Sequence, residues 1–169
     1  MDGSLGFEVV AARLGVATLL GAALGLEREL RGQPAGLRTH ILVGLGSALF
    51  TLASLYVTLP LTGAATAQEG WMRADAGRIA SQIVVGIGFL GGGSILRYGT
   101  SVKGLTTAAN LWLTASIGLA AGLGFYPGAV LAVVFGLFAL SGLKPVERWV
   151  QRHRAKRPVQ ETESEDEGA

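Results

Sequence analysis

The stretch Thr106–Phe125 reads TTAANLWLTASIGLAAGLGF and holds no Asp, Glu, Lys or Arg. A helix needs roughly 20 mainly apolar residues to cross a bilayer. Directly after it comes a second such stretch, Tyr126–Leu143, and three more precede it: Phe7–Leu26, His40–Pro60 and Ile79–Leu96. Charged or turn-forming segments separate most of them. This pattern predicts an all-α fold, a polytopic bundle of five transmembrane helices.

Composition agrees. Of 169 residues, 50% are hydrophobic and 15% charged, against roughly 25% charged in a soluble domain. Five spans leave only loops and a tail, so no separate catalytic domain is expected. Cysteine is absent, which excludes disulfides, thiol catalysis and cysteine metal sites. The two histidines, His40 and His153, cannot form a His cluster. A formal net charge of +2 gives no nucleic-acid signal. The first stretch lacks the basic lead of a secretory signal and carries Glu8 and Arg13, so it reads as a retained span.

Loop charges give an orientation, because cytoplasmic loops collect Lys and Arg. Arg28, Arg31 and Arg38 lie between the first two spans, and Arg97 and Lys103 between the third and fourth. Lys144, Arg148, Arg152, Arg154, Lys156 and Arg157 follow the fifth. Five spans put these three segments on one side. The expectation is N-terminus out and C-terminus in, with residues 1–143 as the membrane domain and 144–169 as a cytoplasmic tail. That tail is basic and then acidic, through Glu161 to Glu167, and its end is expected to be disordered. Trp71 and Trp149 suit headgroup level.

Glycine occurs 26 times, and Gly21/Gly25, Gly88/Gly92 and Gly118/Gly122 are paired four apart inside spans. Such pairs let helix backbones approach closely. Packing within the bundle is the first use, and a homo-oligomer contact is the competing one. Gly86-Ile87-Gly88-Phe89-Leu90-Gly91 has the letters of a dinucleotide fingerprint, but it lies in an apolar span with no acidic residue before Glu147. Gly91-Gly92-Gly93-Ser94 is expected to loosen or break the third helix.

Polar residues in spans are costly against lipid. Asp75, Arg78, Gln82 and Gly86 share one face of the third span. Lys103, Thr107, Asn110, Thr114 and Gly118 share one face of the fourth. Gln82 and Asn110 should therefore point into the bundle. They serve either helix–helix hydrogen bonding or a polar functional site. Arg13 either snorkels toward the N-terminal side or pairs with a carboxylate. No Asp or Glu lies near the middle of a span, so a cation carrier finds little support, and no metal or cofactor site is expected. No catalytic set is visible either.

Two long motifs carry a family resemblance. Gly21-Ala-Ala-Leu-Gly25-Leu-Glu27-Arg28, followed by Ala35-Gly36-Leu37-Arg38-Thr39-His40, resembles the opening motif of the MgtC/SapB family. Gly86 to Gly93, then Lys103-Gly104-Leu105-Thr106-Thr107-Ala108-Ala109 and Leu111-Trp112, resemble its second motif. The likeness covers about Leu14 to Leu143. It implies a five-span, non-enzymatic protein of the bacterial inner membrane, surrounded by lipid and linked to magnesium limitation or acid stress. It implies action as a regulator through another membrane complex, with ATP synthase a candidate. A small ion transporter or channel subunit is the alternative. The motifs carry over Glu27, Arg28, Arg38, Thr39, Asp75, Arg78, Thr106, Thr107 and Trp112, while Asn110 stands where the family commonly has a small residue. Larger members add a cytoplasmic C-terminal domain resembling ligand-binding ACT modules, which is not expected here.

Overall fold

A computed structural model describes residues 5–58, 76–143, 145–146, 149–150 and 153, with side chains omitted at 57–58 and 76–80. The expectations for Asp75, for the loop around Trp71 and for the acidic tail lie outside the described residues, as does the side chain of Arg78. The elements are α1 (Phe7–Leu30), α2 (Leu37–Thr58), α3 (Ala76–Gly93), β1 (Leu96–Tyr98), β2 (Ser101–Lys103), α4 (Leu105–Leu123) and α5 (Tyr126–Gly142). Phe7–Leu30 and Leu37–Tyr56 are long and apolar enough to cross a membrane, and Ser81–Gly93 and Tyr126–Gly142 are shorter apolar helices.

The chain divides into two compact units, Met1–Leu137 and Phe138–Ala169. In the first, α2 packs against α1, α3 and α4, and α4 also packs against α1 and α3. Small residues make this approach close. A Cβ on Gly21 would stand 2.7 Å from the His40 carbonyl oxygen, and one on Gly25 2.8 Å from Leu37 Cα. A Cβ on Gly122 would stand 2.8 Å from the Ala48 oxygen, and one on Gly118 would collide with the Gly44 oxygen. Gly44 in turn meets Ala17 of α1 and Thr114 of α4. Backbones this close gain van der Waals contact along their whole length. In the second unit, the Trp149 and His153 rings lie 4.3 Å apart.

The glycines of α3 depart from expectation. No described atom comes within 4 Å of a Cβ placed on Gly88 or Gly92, so neither makes the helix contact that its spacing suggested. Gly91 is the buried one, and its Cβ would meet Ala108 of α4 at 3.7 Å. The helix rotates Gly91 toward α4, and its neighbour Gly92 turns away.

The fold is not purely helical. Where a plain loop was expected, Leu96–Tyr98 pairs antiparallel with Ser101–Lys103, in register Leu96↔Lys103 and Tyr98↔Ser101. A two-residue loop opening on glycine joins them, with φ +60° at Gly99, as suits a right-twisted hairpin. The glycine run stops α3 at Gly93, short of Leu96. Ser94 closes the end, its Oγ donating to the Gly91 carbonyl at 2.7 Å. Helix α4 starts from Gly104 at φ +91°, where a Cβ would collide with the Ser94 oxygen.

Exposure is inverted relative to a soluble protein. His40, Thr51 and Thr114 are 0% exposed, whereas Phe7 and Phe89 are each 85% exposed. Large apolar side chains such as Leu19, Phe50 and Phe135 point outward. Water would penalise that surface, and hydrocarbon would not.

Candidate functional site

Helix α1 runs past Leu26 to Leu30, so Glu27, Arg28 and Glu29 sit on its last turn rather than in a loop. The connection to α2 is correspondingly short. The Leu37 N–H, at the start of α2, donates to Glu29 Oε2 at 2.9 Å, so a carboxylate satisfies that helix end. These two junctions bring the end of α1 and the start of α2 beside the first turns of α4.

Two hydrogen-bonded sets of three residues occupy the space between them. Arg28 is buried, and its Nη2 donates to Gln33 Oε1 and to Thr107 Oγ1, each at 3.0 Å. His40 Nδ1 donates to the Gly36 carbonyl at 2.8 Å, which leaves Nε2 to accept from Asn110 Nδ2 at 2.8 Å. The imidazole is thereby held as a neutral ring with both nitrogens engaged. Thr114 Oγ1 donates to the Asn110 carbonyl at 2.8 Å, continuing the polar line along α4. Beside this centre, Glu27 Oε1 pairs with Arg31 Nε at 2.5 Å.

A cavity of about 980 Å³ opens against the same region. Gln33, Thr39, Ser94, Tyr98, Lys103 and Thr107 supply its polar wall, and Val43, Phe89 and Leu111 part of its apolar one. The hairpin forms one lip, with Lys103 Nζ 5.8 Å from the Tyr98 ring centroid.

The structure thus sorts the expected residues. Arg28, Thr39, Thr107 and Asn110 come together, joined by Glu27 at the edge. Arg38, Thr106 and Trp112 are exposed. Gln82 is also exposed and lines a groove between α2 and α3, not the polar centre; it stands eleven residues before the end of α3, whereas Thr107 and Asn110 stand on the first turns of α4. The first helix supplies the charged side chain of this centre, Arg28. Arg13 Nη1 donates to the Gly122 carbonyl at 2.8 Å, a cation at the carbonyl end of α4, so its bonding partner is a backbone oxygen rather than a carboxylate.

His40 was not singled out by sequence reading. Its signal was present, since His40 stands three residues after the start of α2 with a small Gly25 and Gly21 opposite. A buried imidazole needs a donor or acceptor on each nitrogen, and the amide in the apolar run of α4 is the partner that was missed. Gln33 was likewise passed over as a loop residue. Among the described residues no group of three His, Cys, Asp or Glu side chains gathers as a metal site.

Known proteins resemble this chain in sequence. Residues 14–149 match the MgtC family. Over 133 residues the chain is 43% identical to a protein named putative magnesium transporter YhiD from Escherichia coli strain K12, covering 76% of this chain and 57% of that protein. Over 123 residues it is 47% identical to protein MgtC of Salmonella typhimurium strain LT2, covering 73% and 47%. An uncharacterized protein, slr0014, of Synechocystis is 42% identical over 153 residues, covering 90% and 58%. The chain therefore spans about half to three-fifths of the curated relatives it matches. No solved structure matches. The family's residue range takes in every helix that builds the polar centre, and the identities run well above those of chance likeness; the chain belongs to the MgtC family of membrane proteins.

Proposed function

We propose that this chain is a five-span protein of the bacterial inner membrane, N-terminus out. It acts without enzymatic chemistry as a regulator in magnesium limitation or acid stress, through contact with another membrane complex, ATP synthase being the candidate. One observation carries the reading. The polar residues of α1, α2 and α4 bond to one another across the three helices: Arg28 with Gln33 and Thr107, His40 with Gly36 and Asn110. A transport path needs groups that exchange partners with a passing ion, and side chains engaged in tying helices together suit a rigid scaffold better. Family membership and a relative named protein MgtC support the setting.

A second reading, a small ion transporter or channel subunit, is favoured by the relative named putative magnesium transporter. Purified chain in liposomes separates the two. The regulator gives no magnesium flux above protein-free vesicles, and cross-linking in native membranes captures a subunit of the complex it restrains. Protein-dependent flux would move the assignment to the transporter.

A further inference from the structure

The cavity beside the polar centre has a neighbour. Val43 and Leu90 line both it and a second cavity of about 840 Å³, which follows the groove between α2 and α3. The two differ in chemistry. The groove is walled by Leu42, Phe50, Ile83 and Ile87, and its glycines Gly46 and Gly86 have no described atom within 4 Å of an added Cβ. The close-packed glycines of α1, α2 and α4 are filled by neighbouring backbone, and these two leave open space.

At the other end stand charge and hydroxyls. Lys103, Thr39, Ser94 and Thr107 line the cavity. No carboxylate lines either cavity among the described residues. Behind Thr107 and Gln33 lies the Arg28 guanidinium, only 5% exposed. Its Nη2 holds those two neutral lining residues, and its Nε has no hydrogen-bond partner. The Glu27 carboxylate of the same helix turn acts on this guanidinium, and a further anion on the cavity side would add to it.

We propose that these adjoining cavities together bind one anionic phospholipid, its phosphate against Lys103, Thr39 and Thr107 and an acyl chain passing Val43 and Leu90 into the α2/α3 groove. The proposal rests on the membrane reading above. A free phosphate would use the cationic end and leave the apolar groove without purpose. A lipid of no net charge would fill the groove but gain little from Lys103 and Arg28. One anionic amphiphile uses both.

The test is native mass spectrometry of the full chain, extracted from membranes and offered phosphatidylglycerol, phosphatidylcholine or inorganic phosphate. Wild type should retain one phosphatidylglycerol in preference to phosphatidylcholine. Lys103→Gln should lower that preference by about fivefold, the effect of one lysine at an anionic surface. Gly86→Leu, which has room for its side chain, should lose retention of both lipids with an unchanged melting temperature. Inorganic phosphate should not displace the lipid. Equal retention of the two lipids by wild type, undiminished preference in Lys103→Gln, undiminished retention in Gly86→Leu, or displacement by phosphate would each overturn the site. A chain recovered outside the membrane fraction would overturn the membrane reading instead.

Discussion

Asn110 and His40 show at the residue scale why a single amide matters in an apolar helix. The imidazole is wholly buried, and its Nε2 has the Asn110 amide at 2.8 Å. Asn110→Leu would leave that nitrogen unpaired in a dry core, at a cost of about 1–3 kcal/mol. His40→Leu would strand the amide in the same way. The double variant removes both polar groups, so its loss should be smaller than the sum, by on the order of 1 kcal/mol. Thermal unfolding of the four proteins in one detergent measures this cycle. Strict additivity would show that the two side chains do not support each other. In cells, the same pair tests the proposed function. Asn110→Leu should weaken growth support in low magnesium along with protein level if its role is structural. Growth alone should suffer if the polar centre is a working surface, with complementation and quantitative immunoblotting as the paired readouts.

Helix contacts depend on which face a glycine presents, more than on how many glycines a helix has. Gly118→Leu and Gly122→Leu should lower the melting temperature, since the added side chains would run into the Gly44 and Ala48 backbone of α2. Gly88→Leu and Gly92→Leu should be near neutral, within about 0.5 kcal/mol, because no described atom stands within 4 Å of an added Cβ at either. Equal losses in all four variants would mean that α3 packs differently. The same comparison shows what spacing can reveal. Pairs four apart mark a small-residue face, but Gly91, one position from the marked pair, is the glycine that meets Ala108. The rotation of a helix about its axis is fixed by its neighbours, which a local pattern does not contain. The hairpin had a local signal, Gly99 between the short segments Leu96-Arg97-Tyr98 and Ser101-Val102-Lys103, yet it fell between two strong helical patterns and read as loop. Gly104 joins hairpin to helix at φ +91°, with Ser94 pressed against it. Gly104→Ala should therefore destabilise by about 1–3 kcal/mol through strain and collision, a loss that Thr106→Ala on the exposed side of the same turn should not reproduce.

Among the described residues, hydroxyls and amides are buried between helices while many large apolar side chains face outward, as Thr114 at 0% and Phe89 at 85% exposure illustrate. That inversion was legible from the apolar stretches alone, because hydrocarbon length and charge depletion are properties of composition. The site was legible only in part. Thr107 and Asn110 stood out as polar residues on one face of an apolar helix, whereas their partners Arg28 and His40 come from other helices and are joined to them only by packing. Orientation follows a third kind of information, the asymmetry of loop charge. Arg28, Arg31, Arg38, Arg97 and Lys103 all fall at the end of the helices where α1 meets α2 and α3 meets α4. Cationic loops resist translocation, so this end should stay in the cytoplasm. A cytoplasm-active reporter fused after Arg157 should be active, and one inserted near Gly70 should be silent. A reporter active only after export should give the reverse at the two sites. If Gly70 reported from the cytoplasm and Arg157 from outside, the N-out orientation would be wrong. Cytoplasmic activity at both sites would instead require an even number of crossings between them, against the three that α3, α4 and α5 supply in the five-span reading.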